Sequence, residues 1–281
     1  MKNILVFLFL LAFISCKNEK IINDYNSPGQ IKKIEHPKSA DNKKSTQVLK
    51  SERLLSEKDD KLNLEHLITT KTFFKKQDNY VLNYKYPYLN EDIKSSYKVF
   101  NQYIQNNYLK TETAVSEVLK NNSLSCDSSV IDVHRYKRII DYKIYGKENQ
   151  LISILLYKAN HYTDENHSSY MFKCLNFDLD VAAFLDFNTL FKKNAETEML
   201  SKINQKLINK ISKENHYNSC WELTRDHFEA NKDSFVITNT SIKFYFNDCI
   251  ICPSYTGRYA VEIPIEEMAY LLNKDAIKLI L

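Results

Sequence analysis

The sequence predicts an α+β fold, with antiparallel sheets built from hairpins and amphipathic helices inserted between them. Several short segments are rich in β-branched and aromatic residues and are joined in pairs by turn residues, which is typical of strands. Other segments repeat apolar residues every three or four positions, as in helices that pack on a core. Strands that return directly in hairpins favour antiparallel sheets over alternating β–α–β units.

Each element follows from these patterns, beginning near residue 64. The predicted strands, in chain order, are 64–74, 80–86, 130–145, 151–162, 169–180, 235–238, 241–246 and 259–263. The predicted helices cover 93–108, with Asn90 as its N-cap, then 114–119, 199–211 and 264–272; a short helix over 48–55 is a weaker prediction.

Glycine is scarce in this chain, and its scarcity excludes several enzyme classes. The chain has 281 residues but only three glycines, where average usage of about 7% would give roughly twenty. Three scattered glycines cannot form a phosphate-binding loop, a dinucleotide fingerprint or a Gly-x-Ser-x-Gly elbow. Nucleotide enzymes of the common motif classes and classical serine hydrolases are therefore not expected.

The N-terminus predicts an exported lipoprotein. A positive Met1-Lys2-Asn3 start precedes an uninterrupted apolar run over 4–14, too short to span a bilayer as a helix but suited to a signal peptide. The run ends at Ser15-Cys16, which resembles the bacterial lipobox, so residues 1–15 are predicted to be a lipoprotein signal peptide and Cys16 the lipidated residue. The alternative is an ordinary secretory peptide with Cys16 buried or paired.

Residues 16–63 are predicted to form a flexible basic tether after the lipidated cysteine. Lysine, asparagine and serine dominate this stretch, and Tyr25 is its one aromatic residue. Such a polar segment buries too little apolar surface to offset its ordering entropy. Its basic residues could instead lie on anionic lipid headgroups, although a solvated spacer is favoured.

Several short motifs in the folded part carry a resemblance to a known family. They are Asn-Tyr-Lys-Tyr-Pro-Tyr over 83–88, Asn-Phe-Asp-Leu over 176–179, Leu190-Phe191, Cys252-Pro253, Gly257 and Val-Glu-Ile-Pro over 261–264. Their order and spacing resemble the exported PdaC/RsiV-like module family. The family pattern Tyr-x-Gly-Gly-Ala-His is replaced at 162–167 by Tyr-Thr-Asp-Glu-Asn-His, without both glycines, and Cys249 takes the place of a usual tyrosine.

The resemblance implies an N-terminal PdaC-like part over 64–125 and a C-terminal RsiV-like part over 126–281. Family members are the extracytoplasmic domain of a lysozyme-sensing anti-sigma factor and the accessory region of a peptidoglycan deacetylase. The resemblance therefore implies a non-catalytic binding module, and its candidate binding residues are Tyr162, Asp164, Glu165 and His167. Because the loop is altered and the folded part is nearly neutral, lysozyme binding is expected to be weak or absent.

An enzymatic alternative depends on a few clusters of reactive side chains. The 161–167 loop, with two histidines and two carboxylates, could bind zinc in a hydrolase, although charged loops are usually solvated. Asp178 and Asp180 share a strand face at a spacing that suits a glycosidase pair, but a strand end running into a turn explains them equally well. Structural interpretations are favoured for two further groups, the Glu266-Glu267 helix start and the tyrosines 84, 86 and 88.

Five cysteines remain beyond Cys16, and in an oxidising compartment they favour disulfides over catalysis. They are Cys126, Cys174, Cys220, Cys249 and Cys252, an odd number that leaves at least one thiol free, and the pairing is left open. Cys249 and Cys252 could pair with each other only if the two residues between them form a turn.

Taken together, the sequence predicts a membrane-anchored extracytoplasmic lipoprotein, in the outer membrane or at the cell surface. It is expected to act without a cofactor or a bound metal, as a binding module for an envelope or extracellular protein or for a cell-wall glycan. Its expected partners are the membrane, through the N-terminal lipid, and a protein or peptidoglycan ligand; nucleic acid is not expected. The alternative is an envelope hydrolase or metal-dependent enzyme that uses the 161–167 loop.

Overall fold

A computed structural model describes residues 50–120, 136–147, 150–162, 168–212, 220–253 and 259–281. All of these residues belong to one compact unit that covers residues 39–281. The predicted signal peptide over 1–15, the lipidated Cys16 and the tether before residue 50 lie outside the described residues. Within the described part, no helix is both long enough and apolar enough to cross a membrane.

The larger of two sheets has six strands in sequential order. Its strands are β1 (Ile68–Lys76), β2 (Tyr80–Leu89), β3 (Tyr136–Lys147), β4 (Leu151–Tyr162), β5 (Ser169–Asp178) and β6 (Ala183–Leu185). Four of its five pairings are antiparallel, whereas β2 and β3 are parallel. A parallel pair requires a long crossover, and the helical segments between these two strands supply it. The α+β prediction is confirmed, and this one parallel pair corrects its purely antiparallel form.

Helices cover one face of this sheet. They are α2 (Lys98–Tyr103), a π-helical turn (Ile104–Leu109) and α3 (Thr111–Lys120), preceded by a short 3₁₀ turn (Ser95–Tyr97). The helix predicted from residue 93 therefore begins later, and Ile93 is 53% exposed. Buried Asn101 ties α2 to β2, because its amide group exchanges hydrogen bonds with the backbone of Leu89 at 2.8 and 2.9 Å.

The smaller sheet has three antiparallel strands, β7 (Phe235–Ile237), β8 (Ser241–Tyr245) and β9 (Ala260–Pro264). Helix α5 (Ala195–Ile211) packs against it, as its apolar positions predicted, and buries Met199, Ile203 and Leu207. Three further helices complete this layer: α4 (Phe187–Leu190), α6 (Arg225–Asn231) and α7 (Lys274–Ile280).

The chain end differs from the predicted helix over 264–272. Two 3₁₀ turns, Ile265–Glu267 and Ala269–Leu271, occupy this stretch, and α7 follows it. Asn273 caps α7, since its side chain accepts hydrogen bonds from the backbone N–H groups of Asp275 and Ala276. The helix-start pattern at Pro264 therefore opens a 3₁₀ turn, and the last α-helix begins only after Asn273.

The two sheets are joined by a small buried polar cluster. The Ser153 hydroxyl on β4 donates to the Asn176 amide oxygen on β5 at 2.5 Å and accepts from the backbone N–H of Ile237 at 3.0 Å. The Asn176 amide group also donates to the carbonyl of Phe235 at 3.1 Å. These contacts satisfy the buried polar atoms of both residues and fix β7 against the larger sheet.

Residues 50–60, which we call the strap, cross the second face of the larger sheet. They begin with a helix, α1, over residues 50–56. Leu54 is 1% exposed and packs among aromatic residues of both sheets. These residues are Tyr145, Tyr157, Tyr170, Phe172, Tyr245 and Tyr259. The folded part therefore begins by residue 50, whereas the sequence placed residues 50–63 in the tether; the buried leucine explains the difference.

Three of the described cysteines are in disulfides. Cys220 is bonded to Cys252, and Cys249 is disulfide-bonded as well. Residues 249–252 do form a turn, in which the backbone N–H of Cys249 donates to the carbonyl of Cys252 at 2.9 Å. Among the described residues Cys174 is the free cysteine, and burial raises the pKa of its thiol, which keeps it protonated and unreactive.

Candidate binding site

The candidate loop of the sequence prediction lies mostly outside the described residues. Tyr162 ends β4, and Asp164, Glu165 and His167 fall in the stretch that the structure does not describe. Their role in binding therefore stays a prediction. Among the described residues, no group of three or more histidine, cysteine, aspartate or glutamate side chains is arranged to hold a metal ion.

His161, at the base of that loop, contacts a serine. Its Nδ1 lies 2.6 Å from the hydroxyl of Ser168, and Ser168 is 4% exposed. Burial and then the nearby charge of Lys137 lower the pKa of His161, so its ring is neutral at pH 7. A neutral histidine beside a serine hydroxyl is the pair that a nucleophile needs, and this serine is buried in the structure.

Asp178 and the buried Tyr84 follow the structural interpretations, whereas Glu266 and Glu267 lie in a 3₁₀ turn and not at an α-helix start. Asp178 accepts hydrogen bonds from the backbone N–H groups of Asp180 and Val181, so it shapes the turn after β5. Glu267 forms a salt bridge of 2.8 Å with Lys206. Of the β2 tyrosines, Tyr84 is fully buried in the core beneath α2, which agrees with packing and not with an exposed tyrosine face.

The strap brings together a polar site that is not among the candidate sites of the sequence analysis. The Glu57 carboxylate accepts hydrogen bonds from the hydroxyls of Tyr145 at 3.2 Å and Tyr245 at 3.0 Å, and it is paired with the Lys243 ammonium. Burial and then the Glu57 charge raise the pKa of Tyr145, and burial raises that of Tyr245. Both hydroxyls therefore stay protonated and continue to donate.

Other contacts fix the strap at both ends of this site. The Lys50 ammonium is paired with Asp248, and both groups are almost fully buried. Burial lowers the pKa of Lys50 despite that partner. The Lys143 ammonium donates to the carbonyls of Leu55 at 3.1 Å and Glu57 at 2.6 Å, and so satisfies the end of α1.

Gly146 allows the chain that follows the strap to approach the larger sheet closely. Its backbone N–H donates to the Asp60 carboxylate at 3.0 Å. A Cβ atom at this position would lie only 3.0 Å from a methyl carbon of Leu64. One of the three glycines in the chain therefore serves close packing and not phosphate binding.

Two open cavities flank the Glu57–Lys243 pair. The first, of about 260 Å³, is lined by Arg53, Glu57, Lys210, Lys243, Tyr259, Ala260 and Glu262. The second, of about 330 Å³, is lined by Glu57, Lys58, Asp59, Asp60, Tyr145, Thr238, Asn239, Thr240 and Lys243. We call the two together the strap groove. Charged, hydroxyl, amide and aromatic groups converge there from the strap and from both sheets.

The sequence contained one signal for this groove. The weaker prediction of a helix over 48–55 places an apolar pair, Leu54-Leu55, inside a stretch otherwise dominated by polar residues. A helix that carries an apolar side chain needs a surface to cover. Leu54 meets that condition, whereas Leu55 is 68% exposed.

Part of this chain is similar to a known protein family. A family model described as "Protein of unknown function (DUF3298)" matches residues 188–266. These residues run from α4 to the first 3₁₀ turn after β9, within the predicted C-terminal part. No curated protein matches the chain.

Two solved structures are similar to this chain. A DUF3298 family protein from Pseudomonas aeruginosa is 10% identical with a TM-score of 0.52, over 74% of this chain and 94% of that chain. A DUF3298 family member from Bacteroides fragilis is 16% identical with a TM-score of 0.46, over 75% of this chain and 95% of that chain. The first comparison supports a shared fold at low sequence identity, and the mixed α+β architecture is thereby established.

Proposed function

We propose that this protein is a membrane-anchored extracytoplasmic lipoprotein whose folded part is a non-catalytic binding module. Its ligand is an envelope or extracellular protein or a cell-wall glycan, held at the strap groove. The arrangement around Glu57 is the observation that carries the proposal. Three donors from two sheets hold this carboxylate, so it is fixed and neutralised, which suits recognition better than proton transfer or nucleophilic attack.

The composition of the groove supports a polar ligand. Lysine, arginine and glutamate side chains alternate with tyrosine, threonine and asparagine around two open cavities. Sites for small apolar molecules are concave and mostly apolar, with few polar groups. A groove with many hydrogen-bond donors and acceptors instead suits the hydroxyls and amides of a glycan or peptide. The PdaC/RsiV-like resemblance agrees with such a ligand outside the cytoplasmic membrane.

Retention on envelope material tests this function. The full chain, purified in detergent, is mixed with isolated cell-wall sacculi and, separately, with immobilised extracellular proteins that include lysozyme. We expect specific retention on at least one of these, with lysozyme binding weak or absent. If neither material retains the chain above the level of a denatured control, the proposed function is refuted.

Anchoring is tested separately. Labelling cells with a radioactive fatty acid should mark the wild-type chain, and Cys16→Ser should abolish the label and release the protein from the membrane fraction. Cys126→Ser is the matched control, since it removes a different cysteine and should leave the label in place. A Cys16→Ser protein that still carries the lipid would contradict the anchor.

The hydrolase alternative was predicted from the 161–167 loop, and the contact between His161 and Ser168 at the base of that loop suggests a serine-dependent form of it that can be tested. An activated serine reacts with a fluorophosphonate probe, and its labelling can be assigned by mass spectrometry of the modified peptide. Because Ser168 is buried, we expect no labelling of the folded protein. Labelling that disappears in Ser168→Ala would favour the hydrolase and overturn the non-catalytic proposal.

A further inference from the structure

The described residues that line the cavity of about 260 Å³ beside the strap include more cations than anions. Its cations are Arg53, Lys210 and Lys243, which come from the strap, the end of α5 and β8. Its anions are Glu57 and Glu262. Among the described lining residues, three cations come from three separate elements and outnumber the two anions by one.

Both carboxylates of this cavity already accept hydrogen bonds from the protein. Glu57 is held by Lys243 and the two tyrosine hydroxyls, and Glu262 accepts from the Ser241 hydroxyl at 2.6 Å. In the part of the chain that the structure describes, the guanidinium of Arg53 forms no salt bridge. The cavity therefore presents an arginine whose hydrogen-bonding capacity is available to a ligand.

The charged groups of this cavity favour a carboxylate over a phosphate. A guanidinium presents a planar fork of donors that matches a carboxylate in a bidentate arrangement. A phosphate monoester carries about −1.5 to −2 charges, and the two nearby glutamates would repel it more strongly than a monoanion. The volume lies just below the range of about 300–1,000 Å³ typical of ligand pockets, so a single group of a larger ligand fits best.

We infer that this cavity binds one carboxylate group of the envelope ligand, with Arg53 as its principal contact. The inference rests on the proposed function, and it names the chemical class that the strap groove recognises. The carboxylate could belong to a sugar acid of a cell-wall glycan or to a peptide terminus. These two sources share the chemistry that Arg53 recognises.

Titration of the full chain with matched acid and neutral probes tests the inference. N-acetylmuramic acid is compared with N-acetylglucosamine, which lacks the carboxylate, and N-acetylalanine is compared with its amide. Chemical shifts or calorimetry report the affinity. We expect at least one acid to bind at least tenfold more tightly than its neutral partner, and the pair that shows the difference identifies the source.

Variants of Arg53 assign this preference to the cavity. Arg53→Gln should abolish the difference between acid and neutral probes, and Arg53→Lys, which keeps the charge but loses the planar fork, should retain part of it. Arg225→Gln, the same change at an exposed arginine at the start of α6, should have no effect. Thermal unfolding of each variant establishes that it is folded.

Two results would overturn the inference: equal or absent binding of acids and neutral probes, or an Arg53→Gln variant that keeps the preference. Its failure is distinguishable from failure of the proposed function. If the chain is retained on envelope material but binds acid and neutral probes equally, the proposed function is supported and the carboxylate inference is refuted. If the chain binds the acids through Arg53 but is retained on no envelope material, the carboxylate site is supported and the proposed function is refuted.

Discussion

The two faces of the six-stranded sheet are covered in different ways. On the helical face, α2, the π-helical turn and α3 cover a core made mostly of aliphatic and aromatic side chains, with Phe100 fully buried at its centre. On the other face, the strap buries one leucine and is otherwise held by charged contacts, at Lys50 with Asp248 and at Glu57 with Lys243.

We relate the helical face to the stability of the domain and the strap face to the proposed ligand binding. Apolar burial stabilises the helical face in proportion to the area removed from water, at about 25 cal/mol per Å², and is insensitive to pH. The strap depends on a few polar contacts, whose geometry brings charged groups to two open cavities. We therefore expect changes on the helical face to unfold the whole domain, and changes at the strap to alter one local segment and ligand binding.

The largest effect is expected at the buried ion pair. Asp248→Asn leaves the Lys50 ammonium buried without its carboxylate, and removing one member of such a pair typically costs about 3–5 kcal/mol. Urea unfolding measures the loss. The double variant Lys50→Met with Asp248→Asn should recover much of it, because no unpaired charge is then buried. An Asp248→Asn protein as stable as wild type would show that the pair does not hold the strap.

A slightly smaller effect is expected from the apolar contact of the strap. Leu54→Ala removes its one fully buried apolar side chain, and such a change costs about 2–5 kcal/mol. Because the strap is a local segment, brief trypsin treatment should then cut after Lys58 and Lys61 while the rest of the domain stays intact. Phe100→Ala on the helical face, at a similar cost, should instead expose the whole domain; the same cutting pattern in both variants would refute the comparison.

Removing the charge at the centre of the groove should cost less. Glu57→Gln keeps the size of the side chain but weakens three hydrogen bonds to a charged acceptor, and we expect a loss of about 2 kcal/mol. Denaturant unfolding measures it. Glu112→Gln, the same change at an exposed residue of α3, is the control and should be within experimental error of wild type. Equal effects would mean that Glu57 is not fixed by its three donors.

The smallest effect concerns pH. The pKa of His161 is lower in the folded protein than in the unfolded chain, so the unfolded state binds more protons below about pH 6.5. Its contribution to stability is present above that pH and is lost as the pH falls. His161→Gln should therefore reduce the loss of stability between about pH 7 and 5, as measured by unfolding at a series of pH values. An unchanged pH slope would contradict the burial of this ring.

Much of the fold could be predicted from the sequence because its elements carry strong local patterns. The β3–β4 hairpin and the long helix α5 lie close to their predicted positions. The β2–β3 pairing could not be predicted, since residues far apart in the chain make it and no local pattern specifies parallel register. The spacing of apolar residues over 93–108 also did not predict that this helix begins as a 3₁₀ turn and ends in a π-helical turn.

The site was harder to predict than the fold. Glu57 lies in a stretch whose polar composition indicates a tether, and its role depends on tyrosines about 90 and 190 residues further along the chain. The sequence instead drew attention to the 162–167 loop, where reactive side chains are adjacent in the chain. Contacts that span such distances are a property of the fold and leave no local pattern.

The central claim is that the strap face, and not the helical face, binds the envelope ligand. Charge reversal at one cavity on each face tests it most directly: Arg53→Glu at the strap groove, and Lys110→Glu at the cavity of about 540 Å³ on the helical face. Retention of each folded full-length variant on the envelope material that binds wild type is then measured. We predict that Arg53→Glu loses retention and Lys110→Glu keeps it; the opposite pattern would contradict the claim.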